Sequence, residues 1–190
     1  LKLSCSKSKN KKAADNSISN TKTYDKLPQN RILLAKLENA ENAVFSVICY
    51  NNYGNQVAFG SGFFINSDGV GISNYHVFEN GYSWTILTKD EQELSVEKIL
   101  AKNEDFDFII FQVEKTLKAN SSLPFSHRKP NKGEEVYVLG TPQGLNYSLT
   151  KGIISNFQSI NLTDDIIQFD AAISHGSSGG PLFDLYGEVI

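Results

Sequence analysis

The amino-acid sequence predicts an all-β fold built as two small antiparallel barrels or sandwiches. Short runs of β-branched and aromatic residues alternate with turn clusters such as Asn66-Ser67-Asp68-Gly69, a pattern typical of closely spaced strands. The runs fall into two groups separated by residues 115–132, which hold two prolines and few strand formers. Aromatic residues make up 11% of the 190-residue chain, which favours pleated sheets over helical bundles.

The N-terminal residues 1–27 are predicted to form a flexible basic tether. Ser, Lys, Asn, Asp and Thr dominate this segment, which cannot bury enough apolar surface to offset the entropy of ordering. Residues 1–40 carry nine Lys or Arg and three Asp or Glu, whereas the rest of the chain carries nine and eighteen. From Pro28 to about Glu41, apolar residues recur at helical spacing and predict one short amphipathic helix.

The predicted strands divide into two domains near residue 118. The first domain, residues 28–118, holds the short helix and predicted strands at 44–50, 56–65, 70–75, 83–87, 94–101 and 107–113. The second domain, residues 119–190, holds predicted strands at 135–140, 147–158, 166–170, 182–185 and 187–190.

Charge and composition exclude several classes of protein. Because the folded part is acidic, a body that binds nucleic acid is not expected. No apolar run approaches the roughly 18 residues of a membrane span. Two cysteines cannot form a disulfide framework, and three histidines without CxxC or HxH spacing do not indicate zinc. We therefore predict no metal and no cofactor.

The most informative stretch is Gly176-Ser177-Ser178-Gly179-Gly180-Pro181. Glycines around a serine let backbone N–H groups converge on one point and leave the approach to the serine open. A serine nucleophile needs a base to take its proton, and the base needs a carboxylate to hold its tautomer. His76 and the pair Asp105 and Asp107 precede Ser178, in the chain order His, Asp, Ser.

The same stretch also satisfies G-x-S-x-G, the nucleophile elbow of α/β-hydrolases. An elbow leads into a helix, which Gly179-Gly180-Pro181 disfavours. The elbow order also requires a histidine after the serine, and no histidine follows Ser178. We therefore set aside a lipid or small-ester hydrolase.

Further segments carry a more specific signal, in the order that follows. The chain reads Gly60-Ser61-Gly62-Phe63-Phe64-Ile65, then Ser73-Asn74-Tyr75-His76-Val77, then Asp107 directly before Phe108-Ile109-Ile110. It continues with Leu139–Leu145, Lys151–Ser155 and Asp170–Leu182 (DAAISHGSSGGPL). Together these segments resemble HtrA/Deg-type trypsin-like serine proteases over about residues 44–190, roughly three-quarters of the chain. The resemblance implies a trypsin-like fold of two antiparallel six-stranded barrels, with the active site in the cleft between them.

The resemblance also implies roles for individual residues. Ser178 would be the nucleophile, and His76 the general base and then acid. Asp107 would orient the imidazole, because the family's aspartate directly precedes the apolar run. Asp105, two residues away on the same strand face, is the competing carboxylate. The backbone N–H groups of Gly176 and Ser178 would form the oxyanion hole.

By the same resemblance, Ala172, Ile173, Ser174 and His175 would lie beside the substrate's P1 side chain. Ala172, six residues before Ser178, is expected at the base of the pocket. Its methyl group offers no partner to a basic side chain, so we expect a small or medium apolar P1 residue. For His175, a solvated loop histidine is an equal alternative.

Both ends of the chain carry expectations. Gly187-Glu188-Val189-Ile190 resembles the start of a strand that continues in the family, so we expect a second barrel that is incomplete at residue 190. Leu3-Ser4-Cys5-Ser6 resembles the end of a bacterial lipoprotein cleavage site. We therefore expect an extracytoplasmic protein, periplasmic or tethered to a bacterial membrane by a lipid anchor at Cys5.

These observations predict a serine endopeptidase that hydrolyses polypeptide substrates through an acyl-enzyme, in HtrA-like protein quality control or processing. The resemblance admits an oligomer and leaves the number of copies open. The alternative is a non-catalytic peptide-binding or chaperone-like module on the same fold.

Overall fold

The computed structural model describes residues 27–114, 117, 121–142, 147–159 and 165–190. Apart from Leu27, the predicted tether over residues 1–27, with Cys5, lies outside the described residues. Helix α1 (Leu27–Ala40) begins one residue before the predicted helix. It buries Leu33 and Leu37 and exposes Ile32 and Leu34, so one apolar stripe packs against the rest of the protein.

Among the described residues, no helix is both long enough and apolar enough to cross a bilayer.

Six antiparallel strands close into the first barrel. They are β1 (Val44–Tyr50), β2 (Gln56–Phe64), β3 (Val70–Ser73), β4 (Ser83–Leu87), β5 (Glu93–Asn103) and β6 (Phe108–Val113). Neighbouring strands pair in the order β1-β2-β3-β6-β5-β4, and β4 pairs with β1 to close the ring. The six strands agree with the predicted bounds to within two residues at each end.

The end of β3 differs from the sequence prediction. The strand predicted over residues 70–75 ends at Ser73, because Tyr75–Phe78 forms a one-turn helix, α2. Phe78 packs on Trp84 at 5.5 Å and on Phe111 at 5.1 Å between ring centroids. The Trp84 indole also donates to the Phe78 carbonyl at 3.2 Å. Contacts with distant strands therefore stabilise a helix too short to form by itself.

Strand β1 is buried on both faces. Phe45, Val47 and Cys49 point into the barrel, where Phe45 meets Phe64 at 4.4 Å between ring centroids. Burial raises the pKa of the Cys49 thiol to about 12, and its sulfur donates to the Val77 carbonyl at 2.7 Å. The opposite face of β1 carries Val44 and points towards the second sheet. This position explains why β1 has a nearly continuous apolar sequence rather than an alternating one.

The second sheet contains four strands among the described residues. They are β7 (Glu135–Gly140), β8 (Ser148–Ser159), β9 (Asp165–Phe169) and β10 (Leu182–Phe183), in the order β10-β7-β8-β9. This sheet corresponds to the second barrel of the trypsin-like fold, and its four described strands are consistent with the expectation that this barrel is incomplete.

The turn after β10 corrects two predicted strands. The strand predicted over 182–185 ends at Phe183, and residues 187–190 contribute only isolated bridges of Val189 with Phe125 and Phe183. The buried Asp184 carboxylate accepts the N–H groups of Tyr186 and Glu188, at 2.8 and 3.1 Å. These bonds form a tight turn where the sequence pattern suggested extended chain.

One shared core joins α1, the first barrel and the second sheet. Its buried members lie on α1 and its C-terminal turn, on the outward faces of β1 and β2, in β7 and β10, and in the segments before β7 and after β10: Leu33, Leu37, Ala40, Ala43, Val44, Phe63, Leu123, Tyr137, Leu139, Phe183 and Val189. Because these contacts span the two sheets, the loops at their junction are held against the barrel.

A partly buried ionic network secures the C-terminal turn. The Arg128 guanidinium donates to both oxygens of Glu134 and, at 3.2 Å, to the buried carboxylate of Asp184. The hydrogen bonds from Arg128 lower the pKa of Glu134 below the ordinary value of a glutamate, although partial burial opposes the shift.

This network predicts a pH dependence of stability. Because the pKa of Glu134 is lower in the folded chain, its stabilisation is present above the unfolded-state pKa of about 4.3 and is lost as the pH falls through the folded-state value. Urea unfolding at pH 7 should show Glu134→Gln destabilised by about 1–3 kcal/mol, with a smaller loss of stability on acidification than the wild type. Glu135→Gln is the control, since Glu135 forms an exposed pair with Lys151 and should cost less than about 1 kcal/mol. Equal losses in the two variants would contradict this account.

Candidate active site

Helix α2 and the turn before β6 bring His76 and Asp107 together. The Asp107 Oδ1 accepts the backbone N–H of His76 at 2.8 Å, and Oδ2 lies 2.7 Å from the imidazole Nδ1. The second contact assigns the proton of the neutral imidazole to Nδ1, which leaves Nε2 as a proton acceptor. Both side chains are about half exposed, so the imidazole is open to an incoming molecule.

The backbone of Asp107 strengthens this arrangement. Its carbonyl accepts the N–H of Tyr75 at 3.2 Å and the side-chain amide of Asn74 at 2.8 Å. Asp107 has a φ of 50°, an uncommon value for a residue other than glycine that asparagine and aspartate tolerate best. The sequence did not assign Asn74 a role, because its partner is a backbone carbonyl that no motif identifies.

Asp105 occupies a different position in the same turn. The sequence placed Asp105 and Asp107 on one strand face, but β6 begins only at Phe108 and both residues precede it. Asp105 is exposed, whereas the carboxylate of Asp107 contacts His76 at two points. A turn breaks the two-residue periodicity of a strand, so the two side chains do not share a face.

Glycines with positive φ shape the loop over residues 176–180, called the Ser178 loop below. Gly176 and Gly179 have φ of 93° and 87°. The N–H of Ser177 donates to the Ser174 carbonyl and that of Gly180 to the Ser177 carbonyl, each at 3.0 Å. By contrast, the N–H groups of Gly176 and Ser178 donate to no group in the part of the chain that the structure describes. These two donors are therefore available to an external oxygen.

The Ser178 loop rests on the first barrel beside His76. The Ser61 N–H donates to the Ser178 carbonyl at 2.8 Å. The next residue, Gly179, packs so closely on the chain before His76 that a Cβ there would lie 2.9 Å from the Asn74 nitrogen. Among the described residues, no hydrogen bond joins the Ser178 hydroxyl to His76. In enzymes that pair a serine with a histidine, this bond is often long or poorly aligned until substrate binds.

The predicted pocket residues lie together on the segment between β9 and the Ser178 loop. Ala172, Ile173, Ser174 and His175 are all exposed, Ile173 at 67% of its surface. The Ser174 hydroxyl lies 3.5 Å from that of Ser177. Exposed side chains directly before the Ser178 loop are accessible to a bound polypeptide.

The close packing of Gly179 predicts a large effect of a single methyl group. Gly179→Ala should destabilise the protein by about 3–4 kcal/mol in urea unfolding, since a positive φ is strained for alanine and its Cβ would overlap the Ser61 carbonyl and the Ser73 hydroxyl. Gly133→Ala is the matched control, because Gly133 has a φ of 83° and nothing within 4 Å of its added Cβ. We expect it to cost about 1–2 kcal/mol. Equal costs would show that backbone strain alone accounts for Gly179.

One cavity of the described surface lies away from these residues. Its volume is about 1130 Å³, and residues of α1, the turn after β4 and Ser121–Pro124 line it. Its two lysines already have partners, since Lys36 donates to the Tyr186 carbonyl and Lys89 pairs with Glu41 at 2.8 Å. Within the described ranges, no group of three His, Cys, Asp or Glu side chains could hold a metal ion.

Comparisons with known proteins agree with this fold. The family model of the trypsin-like peptidase domain matches residues 60–190. A probable periplasmic serine endoprotease, DegP-like, from Bartonella henselae is 38% identical over 143 residues, 70% of this chain and 27% of its own length. A DegP-like relative from Pseudomonas putida is 31% identical over 199 residues, 93% of this chain and 40% of its own length.

A solved structure extends the likeness to the fold. The crystal structure of the serine endoprotease from Yersinia pestis superposes with a TM-score of 0.71 at 24% identity, covering 83% of this chain and 55% of that one. The chain spans about 27 to 40% of the length of these two curated relatives. The chain therefore belongs to the family of trypsin-like peptidase domains, in its HtrA/Deg-type branch.

Proposed function

We propose that this chain is a serine endopeptidase that uses Ser178, His76 and Asp107 as its catalytic triad. The observation that carries the proposal is the two-point contact of the Asp107 carboxylate with His76, at 2.8 and 2.7 Å. This contact leaves Nε2 of the imidazole as the proton acceptor that a serine nucleophile needs. Further support comes from the Ser178 loop, which packs against β2 and against the segment directly before His76.

The proposed reaction proceeds in two steps. Nε2 of His76 takes the proton of the Ser178 hydroxyl as its oxygen attacks the peptide carbonyl, and the resulting oxyanion accepts the N–H groups of Gly176 and Ser178. The imidazolium then gives its proton to the leaving amine, and the C–N bond breaks to leave an acyl-enzyme. Water, deprotonated by His76, releases the second product and restores Ser178.

Substrate preference follows from the residues before the nucleophile. We assign Ala172, Ile173, Ser174 and His175 to the P1 pocket and expect a small or medium apolar P1 side chain. Ala172 supplies only a methyl group, which offers a basic P1 residue no charge partner.

The proposed triad draws on both proposed domains. His76 and Asp107 belong to the domain over residues 28–118, and Ser178 belongs to the domain over residues 119–190.

We also propose an extracytoplasmic location, since relatives from Bartonella henselae and Pseudomonas putida are named periplasmic endoproteases. The Leu3-Ser4-Cys5-Ser6 segment supports a lipid anchor at Cys5 as a more specific proposal. Substrates would then be polypeptides of that compartment, and association into an oligomer remains an expectation of the family resemblance.

Labelling with a fluorophosphonate probe tests the proposed chemistry. The folded chain should incorporate one probe per molecule and cleave casein, whereas the heat-denatured chain should do neither, because only the folded site activates a serine. A folded chain that binds unfolded casein without labelling or cleavage would overturn the proposal in favour of the peptide-binding module.

A further inference from the structure

A buried group of three hydroxyl side chains connects the first barrel to the second sheet. Ser46 on β1 and Ser61 on β2 are register partners, so their side chains lie side by side. Thr141 directly follows β7 and meets both of them. All three residues are almost completely buried, at 1%, 0% and 0% exposure. Buried hydroxyl groups are costly unless they are hydrogen-bonded, so the direction of each bond matters.

The donors and acceptors of this group follow from the partners of Ser61. The Ser61 hydroxyl donates its single hydrogen to the Gly176 carbonyl at 2.6 Å, because a carbonyl can only accept. In the 3.1 Å contact between the Thr141 and Ser61 hydroxyls, Thr141 must therefore donate. The Ser46 hydroxyl in turn donates to that of Thr141 at 2.9 Å. The three hydroxyls form a chain that runs in one direction and ends on Gly176.

The Ser61 hydroxyl uses all of its hydrogen-bonding capacity. Its oxygen accepts both the Thr141 hydroxyl and the Thr141 backbone N–H, the latter at 2.9 Å, and it donates to Gly176. Bonds in such a chain polarise one another, which strengthens the last one. A group with both lone pairs and its hydrogen used has a single well-defined orientation.

Ser61 holds the Ser178 loop at two points. Its hydroxyl binds the Gly176 carbonyl at 2.6 Å, and its backbone N–H binds the Ser178 carbonyl at 2.8 Å. Gly176 and Ser178 are the residues whose N–H groups have no partner in the described chain. A glycine has wide rotational freedom on both sides of its Cα, and Gly176 has a φ of 93°. The Gly176 carbonyl lies in the peptide plane that joins Gly176 to Ser177, so the Ser61 hydroxyl fixes that plane. The Ser61 N–H fixes the plane that joins Ser178 to Gly179. The Ser178 N–H lies between these two fixed planes.

We propose that Ser61 is a positioning residue for the oxyanion hole, acting through the Gly176 carbonyl at the end of the Ser46–Thr141–Ser61 hydroxyl chain. The inference rests on the proposed function and deepens it. Ser61 touches no reacting atom. By holding the peptide planes on both sides of the Ser177–Ser178 peptide, it keeps the donors of the oxyanion hole aligned towards the place where negative charge develops, which strengthens transition-state binding more than substrate binding.

The test compares Ser61→Ala with the wild type in the full chain. The variant keeps the backbone N–H that binds Ser178 and loses only the hydroxyl. We expect kcat for a peptide substrate to fall about 10- to 100-fold, less than the loss of an entire oxyanion donor, with KM within about two-fold. A peptide aldehyde, whose hemiacetal oxygen would enter the hole, should bind more weakly by the same factor. The corresponding peptide alcohol should bind equally well to both proteins.

Two further variants separate positioning from general destabilisation. Ser126→Ala removes another hydroxyl that donates to a buried group, Asp184, and should leave kcat and the aldehyde-to-alcohol ratio unchanged. Thr141→Val removes the donor to Ser61 but keeps the Ser61–Gly176 bond, so it should lower kcat by about two- to five-fold with the same selectivity for the aldehyde. If Ser61→Ala does not fold, Thr141→Val decides the question alone.

The outcomes distinguish this inference from the proposed function. A wild-type chain that neither labels nor cleaves overturns both. If the wild type is active and a folded Ser61→Ala variant keeps full kcat and full aldehyde affinity, the role of Ser61 alone is overturned. Where Ser61→Ala does not fold, the same result in Thr141→Val overturns it. Equal weakening of aldehyde and alcohol binding would also overturn it, because that result indicates a damaged substrate groove.

Discussion

Ser178→Ala is expected to abolish both casein cleavage and fluorophosphonate labelling, with kcat falling by about 10⁶. The alanine removes the only atom that could attack the peptide carbonyl in the proposed mechanism and leaves the neighbouring donors in place. The loss should therefore appear in kcat, while the folded chain retains its stability in urea. Hydrolysis of a chromogenic peptide and gel fluorescence after labelling measure the two effects.

The neighbouring serine supplies the control for this experiment. Ser177 has its hydroxyl 3.5 Å from that of Ser174, and its carbonyl accepts the Gly180 N–H. Ser177→Ala should retain labelling and lie within a few-fold of the wild type in kcat. Labelling that persists in Ser178→Ala and disappears in Ser177→Ala would show that the nucleophile was assigned to the wrong serine.

Asp107→Asn is expected to lower kcat by about 10⁴. The side-chain oxygen of asparagine can still accept the His76 N–H, but its NH₂ group would then face Nδ1 of the imidazole. Nδ1 would have to accept that bond, which moves the proton to Nε2 and removes the base that Ser178 needs. Asparagine also tolerates the φ of 50° at this position, so the turn itself should be retained.

Asp105→Asn is the matched control, since it makes the same chemical change two residues away at an exposed position. It should alter kcat by no more than a few-fold. Steady-state kinetics on both variants, with urea unfolding to confirm equal stability, decides between the carboxylates. A large loss in Asp105→Asn together with a small one in Asp107→Asn would reverse the assignment.

The sequence predicted most of the strands, because their signal is local. Runs such as Val44–Tyr50 and Glu135–Gly140 are bounded by turn residues and matched the observed strands closely. Helix α1 was predicted from the helical spacing of Ile32, Leu33, Leu34 and Leu37, of which Leu33 and Leu37 enter the core. The short helix α2 was missed because aromatic contacts with distant strands stabilise it.

The candidate site was predicted only in part. Motif order indicated His76 and Ser178 as candidates, and a preference for the carboxylate next to the apolar run favoured Asp107 over Asp105. The structure explains that preference differently, through a turn whose carbonyl and carboxylate together hold Asn74, Tyr75 and His76. A turn of this kind leaves no periodic pattern in the sequence.

By itself, the sequence determined the kinds of side chain available to the candidate site, their order along the chain and the membership of most strands. These properties depend on residue type and on neighbours within a few positions. Only the tertiary structure decided which groups meet. His76 finds Asp107 across 31 residues, and the Ser61 hydroxyl finds the Gly176 carbonyl across 115. The physical reason is that hydrogen bonds require partners at about 3 Å in a set direction. Strand register, barrel closure and the packing of the second sheet on the first barrel together bring such distant atoms to that separation.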